Sequence, residues 1–327
     1  MAIRLKSDEY MIQKISSEVT NGTTIINDIY QKRNQSAWLY KEYKKSIIKR
    51  YDYEPYLKYF SYKDFKGLKY DECNIKVNID VINGGFYYYN KETTNNLIVF
   101  VHGIGPGHLC YMKEIEILAS KGFKVFAYDM IGTGKSTGVQ IKGLSGAVES
   151  LDYVLDYLHA KYKNITLAGH SLGAFASLNI VKYKPYIKNV VAISGFLAID
   201  LLEAMTLEPE KIIAYEKELN GYYYQNIDEV LNSLECYKGN IMVIHSKDDQ
   251  TVNPKTGIDF LKKHLVKKIK YLMVDGKGHN PNYIKEAVSY MNKIFSDFNK
   301  KLKEMNMSLD DKIKYFKNVD FDKMTKQ

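Results

Sequence analysis

The 327-residue sequence predicts an α/β protein: one large mixed sheet, parallel over most of its width with an antiparallel start, and helices on both faces. Two observations lead there. Alternating apolar and polar residues near position 75 give way to short continuous apolar runs, the pattern of strands covered on both sides. Those runs are separated by helix-length amphipathic stretches, the βα alternation that builds a parallel sheet.

Residues 1 to about 70 read as a helical, polar-aromatic addition, with Ile12, Ile15, Val19 and later Tyr40, Tyr43, Ile47 and Ile48 near helical spacing. From about residue 74, Ile75, Val77, Ile79 and Val81 alternate with Lys76, Asn78 and Asp80, a half-buried strand. Asn83-Gly84-Gly85 is the expected hairpin turn into Phe86–Tyr89. The apolar runs Leu97–Val101, Phe123–Tyr128, Ile165–Ala168, Val190–Ile193, Ile241–Ile244 and Ile269–Val274 bring the strands to eight. Helical patterns fall near 109–121, 141–162, 172–184, 253–266 and 282–303. The segment 196–239 breaks this rhythm, and its Leu201, Leu202, Met205, Ile212, Ile213 and Tyr222–Tyr224 suggest a short helical lid over a site. The body then spans residues 71–303, and 304–327 form a charged tail.

Apolar residues make up 45% and charged residues 26%, which excludes disordered and collagenous classes. The net charge of +9 raises the question of an anionic partner. Only Arg4, Arg33 and Arg50 among the 47 basic residues are arginines, and no nucleic-acid-binding motif accompanies them, so no nucleic acid is expected. The run Lys262, Lys263, Lys267, Lys268 and Lys270 is read as a solvated face rather than a membrane contact. Cys73, Cys110 and Cys236 lie in no disulfide or zinc spacing, so neither a metal nor a cofactor is expected. Met1–Glu9 lacks the apolar core of a signal peptide and no stretch approaches a membrane span, which predicts a cytoplasmic protein.

Gly169-His170-Ser171-Leu172-Gly173 stands between a strand and a helical pattern, the context in which G-x-S-x-G forms a strained turn that presents a nucleophilic serine. A serine hydroxyl needs a base and an orienting acid, here expected in the order Ser, Asp, His. Asp248, Asp249 and Asp275 follow late strands, and His279 follows the last one. Carboxyl ends of parallel strands open on one edge of a sheet, so these groups can converge with Ser171. The amide of Leu172 is the first candidate oxyanion donor and that of Ile104, in the glycine-rich loop 102–107, the second. His108, in the same loop, is a candidate substrate contact, and His245 is expected to shape the turn before the acid. Gly132–Thr137 imitates the end of a phosphate-binding loop, but the first glycine of that motif is replaced by Asp129.

Together these residues resemble the α/β-hydrolase superfamily, and within it the monoacylglycerol lipase, lysophospholipase and serine aminopeptidase-like group. Besides the serine turn, His102-Gly103-Ile104-Gly105 with Tyr111 is similar to that group's oxyanion segment. Asp129 to Ser136 is similar to its D-x-x-G-x-G-x-S turn, and Asp249-Gln250-Thr251-Val252 and Gly278-His279 match its acid and base contexts. The resemblance implies an eight-stranded α/β-hydrolase fold, Asp249 rather than Asp248 as the acid, and Gly103 and Tyr111 on the substrate side. It implies a serine hydrolase that cleaves a carboxylic ester or thioester of a small to medium apolar acyl group without a cofactor. A peptidase or amidase with the same triad, using Glu203 or Glu208 for an amino terminus, and a non-catalytic ligand-binding scaffold are the alternatives. Residues 1–70 have no counterpart in the family pattern; capping of the site, formation of a homodimer, or an unrelated role all remain open.

Overall fold

Eight strands form one sheet: β1 (Lys69–Val77), β2 (Asp80–Tyr88), β3 (Asn96–Val101), β4 (Lys124–Tyr128), β5 (Asn164–His170), β6 (Asn189–Ile193), β7 (Asn240–Ser246) and β8 (Ile269–Val274). Their order is β1-β2-β4-β3-β5-β6-β7-β8, with β1–β2 and β2–β4 antiparallel and every other pair parallel. The computed structural model describes residues 44–279, apart from 46, 56–57, 90–95, 204–208 and 265–268. The expected helix at 282–303, the charged tail and most of the N-terminal addition lie outside the described residues.

The continuous apolar runs divide by side-chain parity between two cores. On one face Ile98, Phe100, Val125 and Ala127 pack with Met112, Ile115 and Ala119 of helix α1 (Met112–Ser120). On the other, Leu97, Val99, Val101, Ile165 and Leu167 meet Val148, Leu151 and Leu155 of α2 (Gly146–His159) and Leu172 and Phe175 of α3 (Leu172–Asn179). Each fully buried Val, Leu, Ile, Phe or Met among them stabilises the fold by about 1.5–3 kcal/mol. Strands β3 and β4 are thus covered on both faces, which gives the loops at their carboxyl ends buried starting points.

Several expected boundaries move. The hairpin turns at Asn78-Ile79, with Val77 paired to Asp80, not at Asn83-Gly84-Gly85. Asn78 takes the left-handed conformation (φ 52°) that a two-residue hairpin turn requires, and Ile79 at its tip is 96% exposed. The two glycines serve close packing inside β2 instead: a Cβ on Gly84 would lie 2.6 Å from the Ala127 carbonyl oxygen, and one on Gly85 would strike the Tyr70 ring. The expected helix at 141–162 begins only at Gly146, because Gly143 (φ 71°) turns the chain first. The described part of the N-terminal addition opens in helical residues at 44, 45 and 47 and is otherwise irregular, with an isolated bridge at Tyr51 and a short 3₁₀ turn at Tyr62–Asp64. Its Phe60, Tyr62 and Phe65 pack on the α1 core, so their spacing answers to that surface and not to a helix.

The insertion between β6 and β7 contains α4 (Ile199–Glu203), α5 (Pro209–Asn220) and α6 (Ile227–Cys236). Its described residues dock on the body. The buried carboxylate of Glu216 accepts from the amides of Leu144 (2.6 Å) and Ser145 (3.2 Å), capping the approach to α2. Tyr223 donates to Asp152 (2.9 Å), and Asn220 to Glu149 (2.8 Å). Helix α7 (Ile258–His264) then connects β7 to β8.

Candidate active site

Four loops at the carboxyl ends of β3, β5, β7 and β8 carry the expected site residues to one edge of the sheet. Ser171 follows β5 with φ 54° and ψ −117°, a strained conformation for a residue other than glycine, and is 8% exposed. The turn is possible because of its neighbours: a Cβ on Gly169 would strike the Gly173 carbonyl, and one on Gly173 the Val101 carbonyl. The Ser171 amide is satisfied by the Ile193 carbonyl (2.9 Å). Its hydroxyl forms no hydrogen bond to His279 among the described residues, although both follow strands that end at the same edge of the sheet.

Asp249, 3% exposed, is held at both oxygens. Its Oδ1 accepts from the amides of Thr251 and Val252, each at 2.9 Å. Its Oδ2 accepts from His279 Nδ1 at 2.9 Å and lies 3.2 Å from His245 Nε2. Burial alone would raise this carboxyl, but the His245 and His279 rings and the Val252 amide outweigh it and hold the pKa well below the ordinary carboxylate value. With Nδ1–H directed at Asp249, His279 keeps a lone pair on Nε2. His245 Nε2 donates to the Val252 carbonyl (2.9 Å), which shapes the turn as expected from the sequence.

Asp248 behaves differently. It is exposed, and its Oδ1 accepts from Ser246 Oγ (2.5 Å) and from the amides of Lys277 (3.2 Å) and Gly278 (3.0 Å). It therefore ties down the loop that carries His279 without touching the imidazole. Asp275 accepts from the adjacent Gly276 amide and pairs with Lys247 at the surface, the geometry of a turn residue.

The amides of Ile104 and Leu172 donate no hydrogen bond within the described residues, which leaves both available to an oxyanion. Gly103 sits against the serine, since a Cβ there would lie 3.2 Å from Ser171 Cβ and 2.7 Å from the Tyr111 hydroxyl. Tyr111 is buried behind the loop. Its hydroxyl accepts from the Gly103 amide (3.1 Å) and donates to His170 Nδ1 (3.0 Å), while His170 Nε2 donates to the His279 carbonyl (2.8 Å). This chain of hydrogen bonds joins the 102–107 loop to the loop of His279, and with these donors and acceptors His170 is neutral. Burial, followed by the nearby His279, lowers its pKa to about 4. His170 was legible in the sequence only as part of the serine motif; its bridging role depends on residues 59 and 109 positions away.

His108 has no nitrogen left for a substrate. At 2% exposure its Nδ1 meets Asp129 (2.6 Å) and its Nε2 meets the Tyr87 hydroxyl (2.8 Å). Tyr111 likewise has its hydroxyl engaged on both sides, so both residues brace the loop, while Tyr111 also lines a cavity with Phe100 and His170. His102 is also structural: its ring contacts the Gly103 carbonyl through Nδ1 (2.6 Å) and accepts from the Met130 amide at Nε2 (3.1 Å).

The same architecture recurs in the Pyrococcus furiosus esterase Pf2001, at a TM-score of 0.55 and 20% identity over 79% of this chain and 97% of that one. The chain has the α/β-hydrolase fold. A family model described as "Serine aminopeptidase, S33" matches residues 92–226 of this chain, the stretch from just before β3 through the serine turn into the insertion. A putative chloroplastic methylesterase 15 of Arabidopsis thaliana is 30% identical over 134 residues, 39% of this chain but only 30% of the plant protein. The uncharacterised protein R595 of Acanthamoeba polyphaga mimivirus is 22% identical over 63% of this chain and 74% of its own. Among the described residues no cluster of three or more His, Cys, Asp or Glu is arranged to hold a metal, and no helix is long and apolar enough to cross a membrane.

Proposed function

We propose that this α/β-hydrolase is a serine hydrolase that cleaves a carboxylic ester or thioester of a small to medium apolar acyl group. The observation that carries the reading is the 2.9 Å contact of His279 Nδ1 with the buried Asp249, on the edge where Ser171 is presented in a strained turn. Ser171 Oγ attacks the acyl carbon while His279 Nε2 takes its proton, and Asp249 stabilises the imidazolium that forms. The oxyanion is received by the amides of Ile104 and Leu172. His279 returns the proton to the departing oxygen or sulfur, and water admitted to the acyl-enzyme is activated by the same nitrogen. The missing Ser171–His279 hydrogen bond is compatible with this role, because such bonds commonly tighten only when substrate is bound. The esterase and methylesterase named above support an ester over other acyl compounds.

Amide cleavage is the second reading, favoured by the description of the matching family model. The same triad would serve it. Glu203 and Glu208, expected to receive an amino terminus, are not among the residues whose side chains are described.

A fluorophosphonate probe tests the serine chemistry. The native chain is expected to be labelled and Ser171→Ala is not; equal labelling of both refutes the assignment. p-Nitrophenyl esters of graded chain length, run beside aminoacyl p-nitroanilides, then separate the two readings. Turnover of the esters without the anilides supports the esterase, and the reverse result replaces it with the peptidase.

A further inference from the structure

Residues 47–53 precede every strand, yet they are stitched along the turn that follows β4. Tyr51 donates its amide to the Gly132 carbonyl (3.0 Å) and accepts from the Gly134 amide (2.7 Å); Gly143 donates to the Ile47 carbonyl (3.3 Å). Arg50 adds two bonds, from Nη2 to the Gly134 carbonyl (2.6 Å) and from Nη1 to the Gly138 carbonyl (2.7 Å). The side chain of Ile47 is fully buried in the main core. This strap delivers Tyr53 to the oxyanion loop. Its hydroxyl donates to Asp129 Oδ1 (2.8 Å) and accepts from the Leu109 amide (3.1 Å).

Asp129 is the other half of the clamp. Its Oδ1 also accepts from the amide (2.9 Å) and the Nδ1 (2.6 Å) of His108, and its Oδ2 from the Lys135 amide (2.8 Å). Between the two clamped ends, the loop has Gly105 and Gly107, both at φ 145°, a region where side chains are disfavoured and glycine moves freely. Such a segment has little intrinsic shape. Tyr111 holds it at Gly103, and Asp129 with Tyr53 holds it at 108–109. A Cβ on Gly107 would lie 2.5 Å from the Tyr53 hydroxyl, so the contact is closed on that side.

We propose that Tyr53, from the segment preceding the hydrolase body, is a positioning residue: with Asp129 it fixes the far end of the oxyanion loop and so sets the aim of the Ile104 amide. This rests on the serine-hydrolase reading only in taking that amide as an oxyanion donor. Burial, followed by the charge of Asp129, raises the Tyr53 phenol well above its ordinary pKa, so it remains a donor at every working pH. Residues 47–53 thereby support the loop from outside the hydrolase body.

Tyr53→Phe in the full chain tests this, because it removes one oxygen and keeps the ring. Losing an oxyanion donor outright costs about 10²–10³ in kcat, so a displaced one is expected to lower kcat by roughly 10- to 100-fold. KM is expected to stay within about twofold, since a misaimed oxyanion donor acts on the transition state. Hydrogen exchange of the 103–109 amides is expected to quicken in the variant while that of β5 and α3 does not change. A kcat within twofold of the native value, or a loss that follows the unfolded fraction, overturns the proposal. Ser171→Ala run alongside separates the two claims. If the native chain shows no Ser171-dependent turnover, the hydrolase reading fails on its own, and the exchange measurement alone decides whether Tyr53 holds the loop: unchanged exchange overturns it.

Discussion

Asp248 and Asp249 are adjacent, both carboxylates, and both bonded to the loop of His279, but they are expected to differ in catalysis by orders of magnitude. Asp249 faces the imidazole from a buried site; as His279 takes the serine proton, a full charge appears about 4 Å from the carboxylate. At an effective dielectric constant near 20 that pair is worth about 4 kcal/mol. A factor of ten in rate corresponds to about 1.4 kcal/mol, so Asp249→Asn is expected to lower kcat/KM by about 10³. An asparagine amide turned toward Nδ1 would also favour the wrong tautomer, which takes the expected loss toward about 10⁴. Asp248→Asn leaves an oxygen that still accepts from Lys277 and Gly278, and its loss is expected to stay within about tenfold, as for a solvent-screened group. The assay is kcat/KM toward an activated ester at pH 8 for both variants, with circular dichroism to confirm folding. A loss under tenfold in Asp249→Asn, or a larger loss in Asp248→Asn, would refute the assignment.

Two further outcomes concern stability. His102 and His170 are held near pKa 4 chiefly by burial, against 6.5 when free. Below pH 6.5 the unfolded chain binds protons that the folded chain cannot, so stability falls as pH drops toward 4. Between pH 7.5 and 5.5 the two together are expected to remove about 3 kcal/mol, read as a lower urea midpoint; a constant midpoint contradicts this. Glu216→Gln turns an amide group toward the Leu144 or Ser145 N–H, and a buried donor facing a donor costs about 1–3 kcal/mol. The melting temperature should drop and proteolysis within 199–236 should accelerate; an unaltered proteolytic pattern would show that Glu216 does not anchor the insertion.

The elements that the sequence marked well are those whose signal is local. The apolar runs of β3 to β8 sit within a residue or two of their observed bounds, because each strand is a short, nearly unbroken apolar stretch that a turn or helix pattern ends on both sides. The serine turn was legible for the same reason: Gly169, Ser171 and Gly173 must all occur within five residues for the backbone to pass. The hairpin was misplaced because Asn83-Gly84-Gly85 has the composition of a turn, while the demand for glycine there comes from Tyr70 and Ala127 on neighbouring strands.

From the chain alone, then, come the α/β architecture, the serine turn and a short set of candidate partners, since each depends on periodicity or on steric rules that act over a few residues. Only the tertiary structure distinguished Asp249 from Asp248 by geometry, since neighbours in sequence point to opposite sides of a loop and just one meets His279. It likewise engaged both nitrogens of His108 with Asp129 and Tyr87, which makes that residue a support of the loop, and tied Tyr53 to Asp129 across 76 positions. Hydrogen bonds between distant segments leave no periodic trace in a sequence. They exist only once the sheet has set its strand ends side by side.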